Sequence, residues 1–273
     1  ADARAVFDEA SELLGYDMKA LCFEENEKLN LTQYTQPAMV TTGIAIMKVV
    51  EKQGLLPDTA AGLSLGEYEA LYAAGALSVT DAIRVVARRG ELMEAAVPAG
   101  VGAMAAVLGA EASLIEETLS EIPEVWIANY NCPGQIVISG KKEAVEAAAE
   151  ALKARGIKRV LMLNVSGPFH SGLLREAGEA LGKVLAETEI HPLRIPYYAN
   201  VTGGIVEDAA KVRGLLTEQV YSSVRFEQSI RNMLSAGVDT FYELGPGKTL
   251  AGFLKKIDRD ATVVNIETME DLA

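Results

Sequence analysis

Ser64 stands in the stretch GLSLGEYEAL, residues 62–71, at the centre of a Gly-x-Ser-x-Gly pattern just ahead of a helical segment. Glycines two before and two after a serine let a strand-to-helix turn close tightly and hold the hydroxyl clear of the backbone, as an elbow nucleophile requires. An ordinary tight turn would show the same pattern, because glycine is common here, with 24 in 273 residues. The chemistry therefore depends on a base. Only His170 and His191 are available. His170, in NVSGPFHSGLL, follows the predicted strand VLMLNV at the mouth of a helix, where α/β sheets place functional groups. His191, in TEIHPL, reads as an exposed loop residue.

A cation completes the set. On a helical wheel of residues 82–96, Ala82, Val85, Val86, Met93 and Ala96 form one apolar stripe with Arg89 in its middle, while Arg84 and Arg88 point the other way. An arginine on an apolar face needs partners for its fork of donors. An internal acidic residue is one candidate; the other is a substrate carboxylate held in two-pronged geometry close to Ser64.

These residues need a frame. At 49% hydrophobic, the chain can bury a sizeable core in one large domain, with or without a small insert. Acidic residues outnumber basic ones 38 to 25, for a formal charge of −13, which argues against nucleic acid or an anionic membrane as partner. Cys22 and Cys132 lie far apart without metal-type spacing, so neither a disulfide framework nor a metal site is expected, and a reducing cytoplasm fits. The start is acidic and helical, with no basic n-region and no membrane-length apolar run.

Residues 37–53 predict a helix with Pro37 in its first turn. A short strand, DTAAGL, then leads to Ser64. From Gly100 the order is GAMAAVLG (strand), ASLIEETLSEI (helix), EVWIANYN (strand), QIVISG (strand), KEAVEAAAEALKARG (helix) and KRVLMLNV (strand). That βαββαβ order predicts a ferredoxin-like unit. Afterwards come IPYYANVTG, helices near 209–220 and 226–236, the strand TFYEL, the helix TLAGFLKKI and the strand TVVNI. Interleaved strands and helices imply a parallel sheet covered on both faces. The expected fold is α/β: a large domain, 1–98 with 166–273, interrupted by a ferredoxin-like small domain, 99–165.

Two glycine-rich stretches carry no phosphate chemistry. ELGPGKT is not a Walker A loop, because Tyr242 stands where that motif needs glycine; Gly245 and Gly247 read as a strand-to-helix turn. GVGAMA, residues 100–105, follows a helix and enters a strand, the reverse of the dinucleotide order.

With Ser64, Arg89 and His170 in hand, the sequence resembles the malonyl-CoA:acyl carrier protein transacylase family along almost its whole length. The resemblance shows in YTQPA, GLSLGEYEALYAAGALS, RRGELMEAAVPAGVGAMAAVLG, ANYNCPGQIVISG, NVSGPFHSGLL, ANVTG, EQVYSSVRFEQSI and ELGPGKTL. It implies an α/β-hydrolase-like core and a ping-pong transfer in fatty-acid biosynthesis, with no cofactor beyond malonyl-CoA as substrate. Ser64 would take malonyl as an ester and yield it to the phosphopantetheine thiol of acyl carrier protein. His170 would act as base and acid, oriented by a main-chain carbonyl at Gln219. The tetrahedral oxyanion needs donors, one of them the Leu65 N–H at the start of the helix. Arg89 would pair with the malonyl carboxylate, and Phe169 would pack beside the methylene and exclude an α-branch. Asn131 and Gln135 would line the pantetheine channel.

The chain departs from the family pattern at two points: Leu63 replaces the usual histidine before the nucleophile, and the family's N-terminal strand and glutamine-bearing GQG loop have no counterpart after Ala1. A further segment before Ala1 is therefore expected. Other readings are a trans-acting polyketide-synthase acyltransferase, a serine hydrolase or thioesterase, and an inactive carrier-binding module. An α/β-hydrolase normally carries its histidine near the C-terminus after a catalytic acid, whereas about a hundred residues follow His170.

Overall fold

The computed structural model describes residues 2–98, 100–165 and 167–272. The chain opens with α1 (Asp2–Leu14), α2 (Met18–Phe23) and α3 (Thr32–Lys52), then β1 (Ala60–Ala61), α4 (Gly66–Ala73) and α5 (Val79–Ala95). Ser78 caps α5 by accepting the Asp81 N–H at 3.0 Å. α3 starts five residues ahead of Pro37, earlier than the sequence suggests. Proline forfeits one helical hydrogen bond, but this first turn is held from outside. The Thr35 hydroxyl bonds the Leu29 and Leu31 carbonyls at 2.6 and 2.9 Å. Gly90 of α5 lets the Thr32 carbonyl come so near that a Cβ there would lie 2.8 Å from it.

The middle of the chain forms β2 (Gly102–Leu108), α6 (Ala112–Ser120), β3 (Val125–Cys132), β4 (Gln135–Lys141), α7 (Lys142–Ala154) and β5 (Arg159–Met162). The strands make one antiparallel sheet in the order β3-β4-β2-β5. Apolar residues from the strands and both helices, among them Ala105, Val107, Ile115, Ile138, Val145 and Leu152, form its own core. The domain boundaries expected at 98/99 and 165/166 adjoin Ala99 and Ser166, which, with Ala1 and Ala273, lie outside the described residues.

The remainder supplies α8 (Arg175–Glu187), β6 (Tyr197–Tyr198), β7 (Ile205–Val206), α9 (Val212–Gln219), α10 (Phe226–Ser235), β8 (Thr240–Leu244), α11 (Thr249–Ile257) and β9 (Thr262–Ile266). Parallel pairing occurs at β1–β6 and β8–β9, with β7 antiparallel to β6. Among the described residues these strands form two small sheets instead of one continuous sheet. A groove of about 630 Å³, lined by Ala60 and Ala61 on one side and Phe241 and Leu244 on the other, lies between them. The largest core joins α1, α3, α4, α5 and α8 through Val6, Ile44, Leu71, Ile83, Val86 and Leu181. The small sheet is tied to the segment after α9: the Tyr130 N–H donates to Val224 O at 2.9 Å and the Val224 N–H to Ala128 O at 2.8 Å. Among the described residues no helix is long and apolar enough to cross a membrane.

Candidate active site

Ser64 lies between β1 and α4 with a left-handed φ of 53°. A non-glycine residue there is strained and must be held by its surroundings. Gly62 permits the turn, since a Cβ on it would overlap the Gly66 carbonyl. Asn200, just past β6, pins it: the Ser64 N–H donates to Asn200 Oδ1 at 2.5 Å, and Asn200 Nδ2 donates to Gly62 O at 2.6 Å. The N–H groups of Gly66, Glu67 and Tyr68 bond back to Leu63, Ser64 and Leu65. The Leu65 N–H has no acceptor among the described residues and sits at the positive end of α4. The Leu63 side chain packs into a separate apolar cluster with Val224 and Phe226.

Ser64 Oγ lies 2.7 Å from His170 Nε2, although 106 residues separate them. His170 Nδ1 lies 2.8 Å from the Gln219 carbonyl oxygen. A carbonyl can only accept, so Nδ1 carries the proton and Nε2 presents its lone pair to the serine. His170 is 4% exposed. Burial, helped by the nearby Arg89 charge and opposed by the Gln219 carbonyl, lowers its pKa from 6.5 to about 4. The imidazole is therefore neutral at pH 7. The strand ahead of it belongs to the βαββαβ unit, as the sequence reading has it, but is shorter than expected. β5 is an edge strand of the antiparallel sheet and ends at Met162, and His170 lies in the turn beyond, also left-handed at φ 56°.

Arg89 is only 2% exposed. Its NH2 lies 3.1 Å from Ser64 Oγ and 3.0 Å from Gln219 Oε1, and its NH1 donates to Gln36 Oε1 at 2.7 Å. The guanidinium carbon stands 5.6 Å from the Tyr68 ring centroid. Among the described residues no carboxylate forms an ion pair with it, and its Nε has no partner. Of the two candidates read from the sequence, the internal acid is thus not its direct partner; neutral amides hold it instead.

The structure brings Ser64, Leu65, Arg89, His170 and Gln219 together. Phe169, partly buried, packs against Met104, Ala128 and Val137 beside them. Asn131 on β3 is buried with its Oδ1 unpartnered, and Gln135 on β4 accepts from Lys256 Nζ at 3.3 Å. No hydrogen bond among the described residues links either to the Ser64 cluster. His191 is a 43% exposed side chain with Nδ1 3.6 Å from Glu189. At ELGPGKT, Glu243 accepts the Leu250 and Ala251 N–H groups at 2.9 and 2.8 Å, so its carboxylate already occupies the helix end that a phosphate would need.

Gln36, Glu67 and Asn200 were missed by the sequence reading. Each lies inside a stretch that carries the resemblance, YTQPA, GLSLGEYEAL or ANVTG. Their signal was a polar side chain in an apolar setting, which identifies burial but no partner.

A serine within hydrogen-bond reach of a neutral histidine, beside a buried arginine with no ion-paired carboxylate among the described residues, is an arrangement suited to acyl transfer. The chain belongs to the acyl transferase domain family, whose profile matches residues 4–269. It is 46% identical over 275 residues to the malonyl CoA-acyl carrier protein transacylase of Bacillus subtilis, covering 99% of this chain and 87% of that protein. The crystal structure of an acyl carrier protein S-malonyltransferase from Vibrio cholerae matches with a TM-score of 0.97 at 41% identity, covering 100% of this chain and 90% of the other. A malonyl-transacylase solved in complex with a type II PKS acyl-carrier protein matches with a TM-score of 0.96 at 39% identity, covering 99% and 89%.

Proposed function

We propose that this chain transfers malonyl from malonyl-CoA to the phosphopantetheine thiol of acyl carrier protein, in fatty-acid biosynthesis, through an ester on Ser64. The observation that carries the reading is Arg89, a buried cation without a carboxylate partner, 3.1 Å from the Ser64 hydroxyl. A malonyl thioester brings the missing carboxylate to that point.

In the first half-reaction Ser64 Oγ attacks the thioester carbonyl while His170 Nε2 takes the hydroxyl proton. The oxyanion is stabilised by the Leu65 N–H and the positive end of α4. Collapse breaks the C–S bond, and the coenzyme A thiolate leaves with the proton from His170. The second half-reaction runs the same steps backwards with the carrier thiol as nucleophile. Gln219 holds the imidazole tautomer through its carbonyl and Arg89 through its side chain. Arg89 selects malonyl over acetyl, because a buried guanidinium facing a methyl group loses a charge-assisted partner. Phe169 packs beside the methylene and leaves no room for an α-branch. Asn131 and Gln135 line the pantetheine channel. These side chains, the Leu65 N–H and the Gln219 carbonyl carry the route between the two substrates.

The architecture that goes with this reading is an α/β-hydrolase-like core, residues 1–98 and 166–273, with a ferredoxin-like insert, 99–165, in a cytoplasmic enzyme. The match to a transacylase bound to a type II PKS carrier supports a polyketide carrier as second acceptor. Intact-mass measurement tests the reading: malonyl-CoA alone gives a covalent adduct, and added carrier protein removes it with malonylation of the carrier. Loss of the adduct to water marks a hydrolase, and no adduct marks a binding module.

A further inference from the structure

Glu67 is the one acid of α4's first turn that is fully buried, and the steps above give it no role. Its Oε2 accepts from Gln219 Nε2 at 2.7 Å and from the Asn200 N–H at 3.2 Å, while Oε1 has no hydrogen-bond partner. A buried carboxylate with an unused oxygen is costly. Fold stability alone would be served better by an apolar residue of that size.

Three segments meet on that one oxygen. Asn200 holds the Ser64 N–H and the Gly62 carbonyl, and so fixes the strained elbow. Gln219 offers its carbonyl to His170 Nδ1 and its Oε1 to Arg89 NH2, and its Nε2 also donates to Ser64 O. Glu67 itself starts the helix behind the nucleophile, its N–H on Ser64 O. We infer that Glu67 is a positioning residue, whose Oε2 locks the Ser64 elbow, through Asn200, to the Gln219 segment that aims His170 and Arg89. Without this shared acceptor the Gln219 amide can rotate, and the serine, imidazole and guanidinium lose their common reference. The inference rests on the function proposed above.

The test compares Glu67→Met, which keeps the size and removes the acceptor, with Glu67→Gln, which keeps an acceptor oxygen and removes the charge. Two rates are read: malonyl loading from malonyl-CoA, and labelling of Ser64 by a fluorophosphonate, where the Oγ–P bond forms, fluoride leaves and His170 takes the proton. Misplacing reacting groups by about 1 Å costs roughly 10²-fold, so Glu67→Met is expected to lose about 10² in kcat and in labelling, with KM for malonyl-CoA changed less than about threefold. Glu67→Gln is expected to stay within about tenfold of the parent. Glu67→Met at the parent rate, or Glu67→Gln as slow as Glu67→Met, overturns the inference. Should Glu67→Met not fold, Glu67→Asp takes its place, since it keeps the charge but draws the carboxylate back by one methylene from Gln219 Nε2 and the Asn200 N–H. A loss of about 10² in both rates is expected again. Glu67→Asp at the parent rate also overturns the inference. Ser64→Ala keeps the two failures apart: adduct in that variant defeats the proposed function itself, whereas its absence alongside a fully active Glu67→Met defeats only the role of Glu67.

Discussion

Ser64 Oγ and His170 Nε2 lie 2.7 Å apart while both residues hold left-handed backbone, with φ of 53° and 56°. Neither conformation is favourable for a residue with a Cβ. Each is fixed by neighbours outside its own segment: Ser64 by Asn200 and His170 by Gln219. The short contact is thus a product of the packed protein, with strain held at the reacting pair.

Ser64→Ala is expected to abolish the malonyl adduct in intact mass. Its cost to the fold should be on the order of 1 kcal/mol or less by chemical denaturation, since one small hydroxyl is lost and the elbow's main-chain bonds remain. A malonylated Ser64→Ala would place the nucleophile elsewhere.

The pH profile follows from His170. Its folded pKa is about 4, lowered from 6.5 by burial, so the imidazole stays a neutral base until the pH falls towards 4. Glu67 is pushed up to about 7 by its own burial, so in the parent its titration overlaps the range from pH 8 to pH 6, and the profile is also measured in Glu67→Gln, where His170 titrates without it. In that variant loading should hold steady from pH 8 to pH 6 and fall with an acid limb well below 6.5. A limb centred on 6.5 in both would mean an exposed, ordinary imidazole. The same shift bears on stability: between pH 6.5 and 4 the unfolded chain takes up a proton at this position and the folded one does not, so this contribution is present above 6.5 and is lost as the pH falls.

Arg89→Ala should cut malonyl loading by at least about 10² relative to acetyl loading, because only malonyl offers a carboxylate to the guanidinium. Parallel measurement with malonyl-CoA and acetyl-CoA gives the ratio. Equal losses would assign Arg89 to structure, as the bond to Gln36 alone could require.

On a chain of net charge −13, docking of a carrier that is itself acidic requires a local positive surface. Six basic residues in two stretches are candidates: Lys153, Arg155, Lys158 and Arg159, then Lys255 and Lys256. Lys153 pairs with Glu150 at 2.8 Å, Arg155 with Glu117 at 3.3 Å, Lys255 donates to the Arg259 and Ala261 carbonyls, and Lys256 to Gln135. Lys158 and Arg159 have no side-chain partner among the described residues and adjoin Leu161 and Met162, each 48% exposed. Lys158→Glu with Arg159→Glu should slow transfer to carrier roughly tenfold at low salt, and less at high salt, while sparing loading from malonyl-CoA. Unchanged transfer at low salt would move the docking surface elsewhere.

Much of this protein was legible locally. The helix TLAGFLKKI and the strands TFYEL and TVVNI form over the residues that their patterns mark, because apolar spacing and turn residues act within a few positions. The βαββαβ order and the Gly-x-Ser-x-Gly elbow were readable for the same reason, and Arg89 stood out as a charge on an apolar stripe. What held Arg89 was not readable. Gln36 and Gln219 lie 53 and 130 residues from it, and neutral amides leave no signature beyond their polarity. The start of α3 moved ahead of Pro37 because Gly90, on another helix, admits the Thr32 carbonyl. The family resemblance pointed to the His170–Gln219 pairing, but its 2.8 Å geometry, the neutral imidazole and the convergence of Asn200, Gln219 and Ser64 on Glu67 exist only once distant segments pack. Local sequence sets backbone preference through neighbours in the chain, whereas burial, and with it each partner and each shifted pKa, is a property of the closed core.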